Sequence, residues 1–292
     1  MTFRQWIFSI RPESDVYNGQ WKFPHIITLC ICLAIIVTLA LVFRKKSSRT
    51  REAVVKPLAI LVLIFEVALR AINFAKGSAV DVVSVLLLIL PSTWSAIACW
   101  VLVIAAVINK KSLWNFSAIN GLLCSALFFV YPTVGFVHKT IVFTDFYLIA
   151  THALLLIASV SILTLRLGDL RYKRETFIDG FLKELIAFGC VLVYVAALTV
   201  VLKALGREID PMYFRANNAL QTMLGLRYAV YLALYFVGLC IWINAFYLIP
   251  MIWKKYISKG KEEEGDTSSK AQKTGRYLKT KGEIQPKNGR NK

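Results

Sequence analysis

Acidic residues are scarce in this sequence. Its 292 residues include 17 Asp and Glu against 35 Lys and Arg, which gives a formal net charge of +18. A nucleic-acid-binding protein gathers basic residues on a folded surface, whereas these lie in short gaps between apolar blocks and near the C-terminal end. The basic residues are therefore topology signals first, and no nucleic-acid partner is expected. The chain also lacks internal repeats, a glycine-rich phosphate loop and a soluble domain.

Cysteine pairs that hold zinc or build a disulfide framework are missing too. The six cysteines lie inside apolar blocks without a C-x-x-C spacing, at Cys30, Cys32, Cys99, Cys124, Cys190 and Cys240. Their simplest interpretation is as small buried hydrophobes. The sequence therefore predicts no metal site and no cofactor.

Long apolar blocks dominate what remains. Hydrophobic residues make up 57% of the chain, and the mean hydropathy is +0.60, more than a soluble domain carries. Blocks of spanning length predict an all-α bundle of seven transmembrane helices, at 23–43, 57–74, 89–108, 114–131, 146–165, 185–205 and 228–250. The third helix has an alternative, earlier start, because residues 82–88 are also apolar.

The distribution of Lys and Arg predicts the orientation of this bundle. The gaps on one side and the C-terminal segment hold 25 of them, and the gaps on the other side hold nine. The positive-inside rule then puts the N-terminus outside the cell and the C-terminus in the cytoplasm. We expect a multi-pass protein of the cell membrane.

Two segments flank the predicted transmembrane domain, which covers residues 23–253. Residues 1–22 form an external amphipathic segment that can lie on the bilayer surface, and a cleaved signal peptide is not expected. Residues 254–292 form a basic, disordered cytoplasmic tail with almost no apolar residues. The tail is either a solvated topology signal or an electrostatic tether to anionic lipid or RNA, and the acidic run at 262–264 weakens the second interpretation.

Polar residues inside the predicted spans indicate where function lies. At about 1.5 Å of rise per residue, Glu66 and Arg70 lie about 12 and 6 Å from the outer end of the second helix. By the same rise, Thr93 and Ser95 lie about 6 to 9 Å deep in the third helix and His152 about 9 Å deep in the fifth. Three helices thus bring ionisable or nucleophilic groups to one level in the outer half of the bilayer.

Each of these groups also has a structural explanation. Glu66 and Arg70, one helical turn apart, can simply neutralise one another. The hydroxyls of Thr93 and Ser95 can bond back to their own helix. His152 is harder to explain in this way, because a buried imidazole must find partners.

Other polar residues have weaker implications. Asn120 and Asn244 lie in the inner half of the bilayer and are interpreted as interhelical contacts. Pro91, just before Thr93, is expected to kink the third helix and open space for a ligand. The long outer segment 207–227 either covers that opening or is a plain connector.

Helices two to five resemble the YwaF family of bacterial integral membrane proteins, which also has a vertebrate branch. The resemblance covers about residues 56–165. It rests on Glu66 ahead of a turn containing Gly77, on Leu90-Pro91, on the turn at 132–136 and on the run FYLIATHALL at 146–155. The histidine of that run, His152, coincides with the histidine of the family.

The resemblance implies a fold and an activity. The family is described as having seven helices, and its vertebrate member as a cysteine-dependent acyltransferase that moves a fatty acyl chain between phospholipids. More distant membrane hydrolases of fatty-acid esters use a threonine with a histidine. The family's third helix opens Leu-Pro-Leu-His-Leu-Cys, whereas residues 90–95 read LPSTWS here, so Thr93 replaces the histidine and Ser95 the cysteine. Serine and threonine, unlike cysteine, need an adjacent base to act as nucleophiles.

The leading hypothesis is a polar cavity in the outer leaflet that binds an acyl lipid, with phospholipid acyl transfer or lipid-ester hydrolysis as its candidate chemistry. In the catalytic version Ser95 or Thr93 attacks the ester carbonyl, His152 takes the proton and Glu66 orients the imidazole or pairs with Arg70. The predicted lipid-binding residues are Arg70, which can hold a phosphate, and Trp94. Whether the protein is an enzyme is left open.

Two alternatives accompany this hypothesis. A non-catalytic lipid-binding or scaffold protein of the cell envelope keeps the cavity, has no chemistry and contacts other membrane proteins. The loss of the family's cysteine and histidine favours this alternative. A transporter ranks last, because it requires a polar route through both leaflets and the ionisable groups stop in the outer half.

Overall fold

The computed structural model describes residues 1–10, 19, 21–77, 81–130, 135–168, 174–207, 209 and 219–248. Regular secondary structure in these ranges is helical, and they contain no strand. The helices are α1 (Phe3–Ile7), α2 (Phe23–Phe43), α3 (Ser48–Ala75), α4 (Val82–Ile89), α5 (Trp94–Ile108), α6 (Lys111–Val130), α7 (Phe143–Thr164), α8 (Arg174–Ala204), α9 (Ala219–Leu224) and α10 (Tyr228–Leu248).

The chain divides into two compact units. The first comprises Met1–Ile243 and contains α1 to α9 and most of α10. The second comprises Asn244–Lys292, of which the structure describes only the last residues of α10. The predicted tail at 254–292, residues 208 and 210–218 of the segment 207–227, and part of the turn at 132–136 lie outside the described residues.

Six helices in the described residues are long and apolar enough to cross a membrane. They are α2, α3, α6, α7, α10 and the part of α8 from Gly180 to Ala204. The protein is therefore an all-α integral membrane protein. The apolar helix α5 has 15 residues, which at 1.5 Å per residue is about 22 Å, less than the thickness of about 30 Å of a hydrocarbon core.

The first predicted span agrees with α2 at both ends, whereas the second begins much earlier than predicted. Helix α3 starts at Ser48, where the Ser47 side chain accepts a hydrogen bond from the Thr50 amide at 3.2 Å. Pro57, predicted as the first residue, lies inside the helix. The predicted start was wrong because hydropathy detects only the apolar part of a helix, and α3 has a polar first section with its own N-cap.

The third predicted span, 89–108, was wrong as a single helix. Helix α4 ends at Ile89, and α5 begins only at Trp94. Thr93 has extended backbone angles (φ −123°, ψ 155°), and its side chain caps α5 by accepting from the Ala96 amide at 3.2 Å. Pro91 lies in the gap, where its missing N–H and the restriction that it places on the preceding residue both oppose a continuous helix. The expected kink is therefore a complete break.

Buried side chains concentrate on α5, α6 and α7. Helix α6 packs against α5 and α7, α3 packs against α5 and α7, and α2 packs against α7. Helices α6 and α7 pack tightly at Gly121, where a Cβ atom would lie 2.5 Å from Ser159 Oγ. A glycine at this position therefore allows the two backbones to approach closely.

Polar contacts join four helices at one end of this core. Asn109, which ends α5 in the left-handed conformation (φ 56°), donates to Glu52 Oε2 at 2.9 Å. It also accepts from Trp114 Nε1 at 2.9 Å. Arg51 donates to the backbone carbonyl of Leu165. We call this the connection end, because the contacts hold together the start of α3, the end of α5, the start of α6 and the end of α7.

The short helix α1 packs on the first turn of α7, at the opposite end of the core. The Trp6 ring lies 5.5 Å from the Phe143 ring and 6.0 Å from the Phe146 ring, measured between centroids. Ser9 Oγ and Thr144 Oγ1 are 2.6 Å apart and share a hydrogen bond. Part of the predicted amphipathic segment 1–22 is thus helical and docked on the bundle.

Candidate functional site

A buried carboxylate joins three helices in the part of the core away from the connection end. Glu66 on α3 is 1% exposed, and its two oxygens have different partners. Oε2 accepts from the guanidinium of Arg70, one turn further along α3. Oε1 accepts from the hydroxyl of Tyr147 on α7. The Cys99 thiol on α5 also lies beside this carboxylate. A charge placed in the bundle is thus satisfied by charge-assisted hydrogen bonds.

Arg70 links this carboxylate to the surface of the bundle. Its side chain is 17% exposed, and Nη1 donates to the Glu66 backbone carbonyl at 3.0 Å as well as to the Glu66 side chain. Its guanidinium carbon lies 5.7 Å from the centroid of the Trp100 ring. This distance is within the range of a cation–π interaction. We refer to Glu66, Arg70, Cys99, Trp100 and Tyr147 as the Glu66 cluster.

Two N–H donors of the Glu66 cluster have no acceptor among the described residues. Arg70 Nε and Trp100 Nε1 are both buried and have no hydrogen-bond partner among the described residues. An unpaired buried donor costs about 1–3 kcal/mol. Two such donors on neighbouring side chains from α3 and α5 therefore favour an oxygen acceptor at this position.

The break between α4 and α5 is connected to α8. Tyr194 on α8 donates from its hydroxyl to the Pro91 carbonyl at 2.9 Å. The carbonyl at the break is therefore paired with a side chain, as buried backbone groups require.

The predicted nucleophiles make local contacts. Thr93 is exposed and caps α5, and its Oγ1 lies 3.3 Å from Ser95 Oγ. This capping bond is the structural explanation that the sequence allows for such hydroxyls. Ser95 is partly buried.

His152, the predicted base, lies in an aromatic environment on α7. Its Nδ1 is 2.7 Å from the Leu148 carbonyl, and its ring stacks on Phe128 with centroids 4.0 Å apart at 16°. In the part of the chain that the structure describes, no hydrogen bond joins His152 to Thr93, Ser95 or Glu66. The structure thus brings Glu66 and Arg70 together but does not join them to His152.

Trp94, predicted to bind lipid, is buried at the start of α5. Its indole Nε1 donates to Asn120 Oδ1 on α6 at 2.6 Å, and its ring lies 6.2 Å from the Tyr235 ring on α10. Asn120 therefore makes the interhelical contact that the sequence predicts for it. Its Nδ2 is buried and has no partner among the described residues.

Sequence reasoning missed Tyr147, Cys99 and Trp100. Tyr147 lies five residues before His152 on α7, but its contact with Glu66 depends on the packing of α3 against α7. Cys99 lies one turn after Ser95, and the sequence indicates only a buried thiol there. The signal that could have found these residues is Glu66 itself, because a buried carboxylate needs donors from its neighbours.

No group of three or more His, Cys, Asp or Glu that could hold a metal ion occurs in the described ranges.

Comparison with known proteins gives no relative for this chain. It matches no family model, no curated protein and no solved structure.

Proposed function

We propose that this integral membrane protein binds an acyl lipid at the Glu66 cluster, in the outer leaflet of the cell membrane. The observation that carries the proposal is the combination of contacts and exposure at Arg70. This side chain belongs to a buried ion pair, reaches the surface of the bundle and, with Trp100, presents N–H donors that have no partner in the described residues. The polar part of a lipid supplies the oxygen acceptors that these donors require.

Lipid headgroup chemistry fits these donors. Phosphate and ester oxygens accept hydrogen bonds, and arginine binds phosphate more readily than lysine does because its donors form a planar fork. The Glu66 carboxylate fixes one edge of the guanidinium, which leaves Nε and the exposed part for a ligand.

The surface beside Arg70 suits an acyl chain. Val67 and Phe74 lie three residues before and four residues after Arg70, so they share its face of α3. Both side chains are exposed on the bundle. A lipid whose headgroup contacts Arg70 can therefore lay its chain along apolar side chains of the same helix.

Acyl transfer or ester hydrolysis is a finer hypothesis, which comes from the resemblance to the YwaF family. It requires His152 to take a proton from Ser95 or Thr93 as the hydroxyl oxygen bonds to the ester carbonyl carbon, and to return that proton to the lipid oxygen as the ester C–O bond breaks. In the structure, His152 contacts the Leu148 carbonyl and the Phe128 ring, and Thr93 caps the first turn of α5. The geometry therefore supports lipid binding without chemistry better than it supports catalysis.

Lipid retention by the purified full-length protein tests the proposal. Native mass spectrometry should detect bound phospholipid on the wild type and several-fold less on Trp100→Phe, which removes one unpaired donor and keeps a ring. The double variant Glu66→Gln, Arg70→Gln should also lose lipid, without leaving a buried charge unpaired. Matched controls at exposed positions are Trp21→Phe and Arg207→Gln. A wild type without bound lipid, or equal retention by all variants, contradicts the proposal.

A fluorophosphonate probe separates binding from catalysis. Under the binding function the probe leaves the protein unlabelled. Labelling that disappears in Ser95→Ala or in Thr93→Ala, and also in His152→Ala, would establish a nucleophile and its base. Thr93→Ser serves as the control, because serine also caps a helix and keeps a hydroxyl.

A further inference from the structure

The connection end carries a dense group of basic side chains. Three segments meet there. Residues 44–52 comprise the α2–α3 turn and the first residues of α3, residues 109–111 comprise the α5–α6 turn and the first residue of α6, and residues 165–168 follow α7. They expose a set of cations that we call the basic rim, namely Arg44, Lys45, Lys46, Arg49, Lys110, Lys111 and Arg166. These residues form a surface separate from the Glu66 cluster.

The basic rim is held on an ordered framework. The Asn109 side chain bridges Glu52 and Trp114, and Arg51 donates to the Leu165 carbonyl. Each of the three segments contributes at least one of these contacts. The backbone segments that carry the cations are therefore held in fixed relative positions.

The positive charge of the basic rim is not neutralised within the described residues. Glu52 is the one carboxylate in the described residues of these three segments, and it already accepts from Asn109 Nδ2 at 2.9 Å and from Ser48 Oγ at 3.0 Å. No rim cation lies within salt-bridge distance of a carboxylate in the part of the chain that the structure describes. Within the described residues, the basic rim therefore presents uncompensated positive charge that can attract an external anion.

Exposed apolar side chains lie directly beside the basic rim. Leu41 and Val42 precede Arg44 on α2, and Val107 and Ile108 precede Lys110 at the end of α5. Leu41 and Val107 are both 78% exposed. Such a change from apolar to cationic side chains matches the boundary between acyl chains and headgroups.

We propose that the basic rim binds the headgroups of anionic phospholipids in the leaflet that borders the connection end. Clustered Lys and Arg at the membrane surface attract anionic lipid, and the apolar residues hold these cations at headgroup depth. The site is distinct from the Glu66 cluster, because Glu52 and Glu66 are separated along α3 by about 21 Å at 1.5 Å per residue. The inference therefore goes beyond the proposed function.

Competition between two lipids tests this proposal. The full-length protein is reconstituted in nanodiscs of mixed phosphatidylglycerol and phosphatidylcholine, and the lipids that remain bound are counted by native mass spectrometry. The rim variant carries Lys45→Gln, Lys46→Gln, Lys110→Gln and Lys111→Gln. The matched control carries Lys76→Gln, Lys139→Gln, Lys203→Gln and Arg207→Gln, four exposed cations outside the rim. The C-terminal tail is the same in all proteins, so its contribution cancels.

The wild type and the control should retain phosphatidylglycerol in preference to phosphatidylcholine. The rim variant should lose at least about fivefold of that preference, since one cation near the surface contributes about that factor. Raised salt should weaken the preference of the wild type. Circular dichroism verifies that the variant is folded.

Three outcomes would overturn the proposal. They are an equal preference of the rim variant and the wild type, an equal loss in the rim variant and the control, and retention of RNA by the rim without a preference for phosphatidylglycerol. The last outcome would identify nucleic acid as the partner instead.

Discussion

The hydroxyl of Tyr147 on α7 donates to the carboxylate of Glu66 on α3. This bond ties together two helices that are far apart in sequence, at the level where Arg70 reaches the bundle surface. It also gives the carboxylate a second donor besides Arg70. The bond therefore serves both the stability of the fold and the orientation of the candidate site.

Removing this hydroxyl should destabilise the protein measurably. Tyr147→Phe leaves one carboxylate oxygen of Glu66 without its donor, and a hydrogen bond to a charged group contributes about 1.5–3 kcal/mol. The free energy of unfolding in detergent micelles, measured by denaturant titration, should fall by that amount. In a double-mutant cycle with Glu66→Gln, the loss of stability in the double variant should be smaller than the sum of the losses in the two single variants. Strict additivity would show that the bond makes no contribution.

The ion pair should behave asymmetrically when it is broken or replaced. Arg70→Gln leaves the Glu66 carboxylate buried without its cation, which should cost about 3–5 kcal/mol. The double variant Glu66→Gln, Arg70→Gln removes both charges and should be more stable than Arg70→Gln alone. The same unfolding titration checks the order of the three proteins. A double variant that is less stable than the single one would contradict the buried ion pair.

The close contact of α6 and α7 should make two similar substitutions differ. At Gly121 an added Cβ would lie 2.5 Å from Ser159 Oγ, whereas at Gly189 on α8 it would meet nothing within 4 Å. Gly121→Ala should therefore cost about 1–3 kcal/mol by overpacking. Gly189→Ala should be neutral or stabilising by up to about 1 kcal/mol, because alanine favours helix.

Combining Gly121→Ala with Ser159→Ala gives a control for the cause of that loss. Removing the Ser159 hydroxyl relieves the contact with the new methyl group, so part of the stability should return. Thermal unfolding of the wild type, Gly121→Ala, Gly189→Ala and the Gly121→Ala, Ser159→Ala double variant in the same detergent checks the comparison. Equal melting temperatures for the Gly121→Ala and Gly189→Ala variants would contradict the packing described for this interface.

Two substitutions at Asn109 should separate the effect of backbone strain from the effect of lost hydrogen bonds. Both Asn109→Gly and Asn109→Ala remove its bonds to Glu52 and Trp114. Glycine adopts the left-handed conformation at φ 56° freely, whereas alanine pays about 1–2 kcal/mol for it. Asn109→Ala should therefore be the less stable variant in denaturant titration. The reverse order would show that α5 does not end in this conformation.

The sequence predicts the helices of this fold better than their interruptions. Residues 23–43 are predominantly apolar and lie between Lys22 and Arg44, so hydropathy alone finds both ends of α2. Helix α3 begins before its apolar part, because the Ser47 cap stabilises a polar first turn that hydropathy cannot detect. Pro91 indicates a kink, but whether a proline bends or breaks a helix depends on what surrounds it, here the hydroxyl of Tyr194.

The candidate site was predictable only in part. Glu66 and Arg70 are one turn apart on one helix, so local geometry predicts their contact. Tyr147 and Cys99 reach Glu66 through the packing of three helices, which no pattern within one segment encodes. The approach of His152 to Thr93 or Ser95 stays a prediction from shared depth, and depth does not determine which face of a helix a side chain occupies.

The break at residues 90–93 is also a position where the chain can tolerate inserted residues. One residue inserted into a continuous helix rotates every side chain beyond it by about 100° relative to the part before. An insertion between Ile89 and Thr93 lies outside both helices, and the new residue extends an irregular segment. Cys99 and Trp100 then keep their direction towards α3 while α4 shifts alone. The two parts of this membrane segment can therefore diverge in length and register independently during evolution.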